Sequence, residues 1–161
     1  MNNLTIEKIL SKTLGKTFKG VYSYDEWRAV PKLNHPSAIV FNTEPSYQKT
    51  GHWVAIFIKR NGRAVFFDSF ARPPTALGFD GFLKKHSTSW KYNNVLLQNP
   101  MTLTCGQHVI IFLVTVSTQG ESAWIHLFES NSLSNDAFVY RTINTIFQTN
   151  SSFYPVVDFI Q

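Results

Sequence analysis

Cysteine is nearly absent: the 161-residue chain holds one, Cys105. A lone thiol excludes an internal disulfide and any zinc site built from several cysteines, and it suits a reducing compartment. Long apolar runs are missing too. The longest, Val109–Val114, falls far short of the roughly 20 residues a membrane-crossing helix needs. No basic stretch followed by an apolar one comes after Met1. The expectation is therefore a soluble, non-secreted chain without a targeting segment or membrane contact. Acidic residues are few, 10 against 15 Lys plus Arg, and the formal charge is +5. Repeats, low-complexity tracts and linkers are lacking, so one domain over 1–161 is expected.

Apolar and aromatic residues are plentiful. Hydrophobic residues make up 43% of the chain and charged ones only 16%, which excludes a disordered polymer. Fourteen phenylalanines predict a core of packed rings. A pI near 9.4 permits binding to an acidic polymer. Lys8, Lys12 and Lys16 recur at the spacing that puts helical side chains on one face. They read either as a solvated surface or as a stripe contacting DNA phosphates.

Periodicity predicts an amphipathic helix over Leu4–Leu14, with Ile6, Ile9, Leu10 and Leu14 inward and Gly15 as its stop. Phe18–Tyr24 reads as extended, Trp27–Pro36 as loop, and Ser37–Phe41 as a buried strand. His52–Ile58 and Arg63–Phe70 flank Asn61-Gly62, a strong hairpin signal. Both runs are apolar on both faces, so the hairpin should be central and covered on each side. A short helix is expected over Phe79–His86, a strand over Tyr92–Leu97 and a buried helix over Cys105–Ser117. A last amphipathic helix spans Asn135–Gln148, capped by Ser134 or Asn135, with Phe138, Ile143 and Phe147 inward. The sum is an α+β fold, a central mixed sheet flanked by helices.

Cys105 sits at the expected start of a helix, where unpaired N–H groups favour thiolate. Its N–H could also serve a developing oxyanion. An ordinary buried cysteine is the competing reading, because reactivity needs a partner. Five histidines are present. His35 lies in a loop, His86 in a basic run that reads as solvated, and His126 in a short helical stretch. His108 shares a rigid helix face with Cys105, which leaves little room for a substrate carbonyl between them. His52 begins a buried strand, the setting for a fixed ring with one nitrogen exposed. A base needs an acceptor on its second nitrogen, and a carboxylate such as Asp68, ending an apolar strand, is rarely left unpaired.

The hairpin tests that pairing. A two-residue Asn61-Gly62 turn would send His52 and Asp68 to opposite faces. A three-residue turn, Arg60-Asn61-Gly62 with a Gly62 bulge, sets Val54 opposite Asp68 and makes His52 its diagonal neighbour. The three-residue turn is predicted. Gln98, seven residues before Cys105, offers a side-chain amide for the oxyanion, or is only a polar strand end.

Taken together, Phe18-Lys19-Gly20-Val21-Tyr22-Ser23, Ile39-Val40-Phe41-Asn42-Thr43, Gly51-His52-Trp53-Val54-Ala55, Phe66-Phe67-Asp68-Ser69-Phe70, Leu97-Gln98 and Thr104-Cys105-Gly106 resemble the adenovirus-type cysteine proteases. These enzymes mature adenoviral virions and have relatives in virus-like mobile DNA elements. The resemblance implies the cysteine-protease fold shared with the ubiquitin-like-modifier proteases. It implies the roles of base for His52, orienting acid for Asp68, oxyanion donor for Gln98 and nucleophile for Cys105, with Trp53 as core packing or a substrate contact. It further implies viral capsid and core precursors as substrates, cut beside small residues, especially glycine, by a monomer in the virion, host nucleus or cytosol. The adenoviral enzymes carry glutamate where Asp68 stands, whereas the modifier proteases use aspartate. Their disulfide-held activating peptide has no second cysteine here, so a peptide activator would be non-covalent. DNA, their other cofactor, would meet Lys8, Lys12 and Lys16. No cofactor is required by the chemistry and no metal is expected. The alternatives are a modifier-removing isopeptidase and a non-enzymatic DNA-associated virion protein.

Overall fold

The alternation of apolar residues along three neighbouring strands dictates the layering of the molecule. A computed structural model describes residues 1–48 and 50–148. Its five-stranded mixed sheet has the order β1-β2-β3-β4-β5, formed by β1 (Phe18–Tyr22), β2 (Ser37–Asn42), β3 (Trp53–Ile58), β4 (Arg63–Phe67) and β5 (Ser89–Tyr92). The outer pairs are parallel and the inner two antiparallel. Successive side chains point to opposite faces of a strand. Ala38, Val40, Ala55, Phe57, Val65 and Phe67 therefore join one core, while Ile39, Phe41, Val54, Ile56, Ala64 and Phe66 join another. Both faces of the central hairpin are buried, as its two-sided apolarity requires.

Helices cover each face. On the first lie α1 (Asn3–Leu14), α3 (Cys105–Thr118) and α5 (Ser132–Gln148), with the short α4 (Glu121–Ile125) beside α3. On the second lies α2 (Asp80–His86), which contributes Phe82 and Leu83. The helix starting at Cys105 is buried almost all round. It meets the sheet through a parallel ring stack, Phe67 on Phe112, at 4.5 Å.

The turn of the hairpin has three residues. Lys59 N–H donates to the Arg63 carbonyl and Gly62 N–H to the Lys59 carbonyl, both at 2.9 Å. Gly62 takes φ 81, the left-handed conformation glycine adopts without steric cost. The ladder pairs Ala55 with Phe67, which sets Val54 opposite Asp68.

Several boundaries differ from expectation. The fifth strand is Ser89–Tyr92, not Tyr92–Leu97. It is an exposed edge strand, so apolarity does not mark it, whereas Val95 and Leu96 sit exposed in a loop. Beyond Tyr92 the ladder continues through one side chain: the Asn93 amide donates to the Asp68 carbonyl at 2.7 Å and accepts the Asp68 N–H at 2.9 Å. Tyr24–Ala29, partly read as loop, forms a 3-10 turn opened by a Ser23/Glu26 capping box. The last helix begins at Ser132, where Asn131 accepts the Leu133 and Ser134 N–H groups, so neither Ser134 nor Asn135 is its cap. Ile143 is buried and Phe138 partly so; Phe147 lies outside the residues whose side chains are described. Lys16 falls in a 3-10 turn after Gly15, so the lysine spacing does not stay on one helix.

Asn93→Ala is expected to destabilise the fold by about 2–4 kcal/mol. It strands a buried N–H and a buried carbonyl of Asp68, each costing about 1–3 kcal/mol unpaired. A urea titration measures this, with Asn94→Ala, on an exposed neighbour, expected within about 0.5 kcal/mol of the parent.

Candidate active site

The register of the hairpin brings two polar residues to the same end of the sheet. His52 immediately precedes β3 and Asp68 immediately follows β4. The His52 Nε2–H donates to Asp68 Oδ1 at 2.6 Å; the carboxylate can only accept, which fixes the direction. That leaves His52 Nδ1 as the nitrogen for a second partner.

Asp68 is fully buried at the head of a tight turn. Its Oδ1 also accepts the Phe70 N–H at 3.0 Å, and its Oδ2 accepts Arg72 Nε at 2.7 Å and the Arg72 N–H at 3.3 Å. The turn is closed by Ala71 N–H on the Asp68 carbonyl, with Ala71 held at φ 60, a left-handed conformation rare for a residue with a side chain. Burial pushes the Asp68 carboxyl up, but the His52 and Arg72 hydrogen bonds outweigh it and hold the group below the ordinary carboxylate range. Phe70 stacks on the His52 ring at 4.7 Å and lies 5.6 Å beneath the Arg72 guanidinium carbon. The ring plane of the histidine is thus set by packing as well as by its acceptor. Arg72 escaped the reading of the sequence: it reaches Asp68 only because the intervening turn reverses the chain. A hydrogen-bonding side chain four residues beyond a buried carboxylate was the one available hint.

Cys105 comes from the other layer, as the first residue of α3. Its thiol lies near enough to the His52 side chain, and to the Trp53 and Gly106 backbones, for each to act on its ionisation. Burial pushes this thiol up, and those interactions more than reverse it, so it lies below the ordinary thiol value. Burial pushes His52 down; Asp68 and Cys105 reverse that and raise it above the ordinary imidazole value. Thr104 precedes the helix in the N-cap position but makes no side-chain cap, so its hydroxyl does not consume the first N–H groups of α3. His52, Asp68 and Cys105 therefore form one connected set.

Gln98 is buried and lies in the loop before α3, not at a strand end. Its Oε1 accepts the Ser69 hydroxyl at 2.7 Å, and its Nε2 donates to the Thr102 carbonyl at 2.9 Å. One amide proton is thereby committed, and Nε2 makes a second, long contact of 3.5 Å with the Thr102 hydroxyl. The other histidines stand apart. His108 is buried and donates Nε2–H to Asp136 at 2.9 Å. His86 is not solvated: it is buried against Phe82 at 4.5 Å.

A cleft of about 710 Å³ opens beside the thiol, lined by Met1, Asn2, Tyr22, Glu26, Asn42, Gly51, Trp53, Leu103 and Cys105 among others. Trp53 is mostly buried, donates Nε1–H to the Met1 carbonyl at 3.2 Å and shows one side to the cleft. Gly106 is where Met1 approaches: a Cβ there would stand 2.9 Å from Met1 Cβ. Lys8, Lys12 and Lys16 are exposed. Among the described residues no group of three or more His, Cys, Asp or Glu could hold a metal ion, and no helix is long and apolar enough to cross a membrane.

No protein-family model matches the sequence, and a comparison with curated proteins finds no match. Solved structures do match. The pS273R protease of ASFV is 16% identical with a TM-score of 0.51, over 86% of this chain and 66% of that one. The Chlamydia trachomatis effector protein Cdu1, bound to ubiquitin, is 14% identical with a TM-score of 0.52, over 94% of this chain and 79% of that one. ChlaDub1 from Chlamydia trachomatis is 15% identical with a TM-score of 0.49, over 77% of this chain and 64% of that one. The chain spans just under two thirds of ChlaDub1 and of the ASFV protease. At these identities the likeness to Cdu1 and the ASFV protease shows the fold alone: the α+β cysteine-protease fold, a mixed sheet with helices on both faces.

Proposed function

We propose that the chain is a cysteine endopeptidase that processes viral capsid and core precursors during virion maturation. The observation that carries this reading is the 2.6 Å His52–Asp68 hydrogen bond on the buried side of a cleft lined by Cys105, with the thiol shifted down and the imidazole up through their mutual interaction. Thiolate on Cys105 attacks the peptide carbonyl, and the bond to the sulfur forms as the carbonyl electrons move to oxygen. The Cys105 N–H and the second Gln98 amide proton, released from its long contact with the Thr102 hydroxyl, serve that oxyanion, each such donor contributing about 10²–10³-fold in other acyl-transfer enzymes. Protonated His52 gives its proton to the leaving amine. Water, deprotonated by His52, then clears the thioester.

The viral assignment is supported by the resemblance of the motifs and by the fold shared with the ASFV protease. It places the chain as a monomer in the virion and host nucleus or in the cytosol. DNA contacting the exposed Lys8, Lys12 and Lys16, and a non-covalently held peptide, are the activators it suggests. A second reading, removal of a ubiquitin-like modifier, is favoured by the fold shared with Cdu1, whose structure holds ubiquitin.

The test presents a coexpressed capsid precursor and, separately, a modifier conjugate to the purified chain, with and without DNA. The expected result is Cys105-dependent cleavage of the precursor beside glycine. Faster cleavage of the conjugate would replace the viral reading with the isopeptidase one. No Cys105-dependent cleavage of either would remove the peptidase reading.

A further inference from the structure

The loop that joins Gln98 to Cys105 is short, and two of its residues pack on nothing in the core: Met101 is 92% exposed and Leu103 87%. Apolar packing therefore cannot set its shape. A turn closed on Asn99, whose carbonyl takes the Thr102 N–H at 3.1 Å and whose side chain takes the Met101 N–H at 2.9 Å, shapes it locally, and one carboxylate ties it to the rest of the protein. Asp136, 5% exposed on α5, accepts four hydrogen bonds. Its Oδ2 takes the Asn99 N–H at 3.0 Å and, at 2.8 Å, shares the one Thr102 hydroxyl proton with the Asn99 carbonyl, also at 2.8 Å; its Oδ1 takes the Thr104 hydroxyl at 2.6 Å and His108 Nε2–H at 2.9 Å. Three of these partners come from the loop and the fourth from the helix that the loop feeds.

The consequence reaches both ends of the loop. Thr102, held by Asp136, presents the carbonyl that orients the Gln98 amide. Thr104, held by the same group, has its hydroxyl turned away from the α3 N–H groups. Charge-assisted hydrogen bonds to a buried carboxylate are stronger than neutral ones, and the four act on one group. The site thus uses two buried carboxylates. Asp68 orients the base, and Asp136 spaces the nucleophile from the oxyanion donor.

We propose that Asp136 is a positioning residue for acyl transfer: it gathers Asn99, Thr102, Thr104 and His108 onto one carboxylate and so fixes Gln98 relative to Cys105. The proposal rests on the peptidase reading above. It requires that disturbing Asp136 slow the step that makes an oxyanion while sparing the thiolate, which depends on His52.

Asp136→Asn, Thr104→Val and the double variant test this against wild type and Cys105→Ala. Three quantities are read: kcat and KM on a cleaved peptide, the pH profile of Cys105 alkylation by iodoacetamide, and the thermal midpoint. Alkylation forms no oxyanion, so it reports on the thiolate alone. The expected result for Asp136→Asn is a fall in kcat of about 10²-fold, the scale of one lost oxyanion donor, with KM within about twofold and the alkylation profile unchanged. Thr104→Val, which keeps the charge and removes one donor, is expected to lower kcat by about 3–10-fold. The double variant is expected to match Asp136→Asn, because groups acting through one hub are non-additive. If Asp136→Asn does not fold, the kcat of Thr104→Val decides alone. An unchanged kcat in folded variants overturns the proposal, and so does an alkylation profile that shifts together with kcat. A wild type that cleaves no peptide removes the peptidase reading and this proposal with it. An active wild type with indifferent variants removes this proposal only.

Discussion

Cys105→Ala is expected to abolish peptide cleavage while leaving the fold in place. Removing the nucleophile of a triad costs about 10⁶ in kcat where such losses have been measured. No other thiol is present to substitute. The structural cost is small, because Cys105 is only partly buried and begins a helix rather than filling a core. A loss near 1 kcal/mol is typical of such changes, and a thermal melt checks it. The wild-type thiol supplies the complementary measurement. Its pKa is lowered and that of His52 is raised. As pH rises, thiolate appears once the depressed thiol value is passed, and the imidazolium is lost only once the raised imidazole value is passed. Cleavage should therefore trace a bell. Its acid limb lies below the unperturbed thiol value of about 8.5 and its alkaline limb above the unperturbed imidazole value of about 6.5. Iodoacetamide should label Cys105 well below pH 8.5, and His52→Ala should return the labelling to an ordinary thiol titration. Ordinary titration in the wild type would refute the ion pair.

Asp68→Asn is expected to lower kcat by about 10³–10⁴-fold, on the scale seen when the acid of another triad is neutralised. The reason lies in the partners. All four groups around the carboxylate are donors: His52, Arg72 Nε and two backbone N–H groups. An amide has one accepting oxygen, so its NH₂ must face donors on one side. If it faces His52, the imidazole must accept at Nε2 and carry its proton on Nδ1, where a base for Cys105 needs to be free. If it faces Arg72, a part-buried N–H is left opposed, at a cost reduced by its access to water. Stability has a sign here as well. The folded pKa of Asp68 is depressed, so its contribution is complete above the unfolded value of about 3.9 and is lost as pH falls through the lower folded value. Asp68→Asn should flatten that acid-side loss. Circular dichroism melts at several pH values below 5, read beside kcat, test both halves. Full activity in a folded variant would remove Asp68 from the base's support.

The parts of this arrangement that were legible in the sequence are those set by local rules. The hairpin follows from Asn61-Gly62, but its three-residue turn, and with it Val54 opposite Asp68, follows only from the added requirement that His52 and Asp68 share a face. The buried helix after Cys105 follows from an apolar run too long for a strand. The edge strand at Ser89–Tyr92 was not legible, because its residues are exposed and its neighbours Val95 to Leu97 carry the apolar signal instead. Arg72, Asn93 and Asp136 were invisible for a different reason. Each works through backbone or side-chain groups brought near by a turn or by another helix, and single polar residues at such distances leave no pattern. His86 shows the converse error: a basic sequence neighbourhood suggested solvent, yet the ring points inward onto Phe82.

The division of the proposed triad between layers has its own consequence. His52 and Asp68 flank sheet strands, Cys105 starts a helix, and the two surfaces meet through packing such as Phe67 on Phe112. The reacting distance is therefore not a property of any one element. It is a gap across an interior seam, and whatever wedges or loosens that seam changes the gap before a hydrogen bond within either layer breaks. A chain in this state would keep its secondary structure and lose its chemistry, so turnover is the more sensitive gauge of how tightly the core is closed.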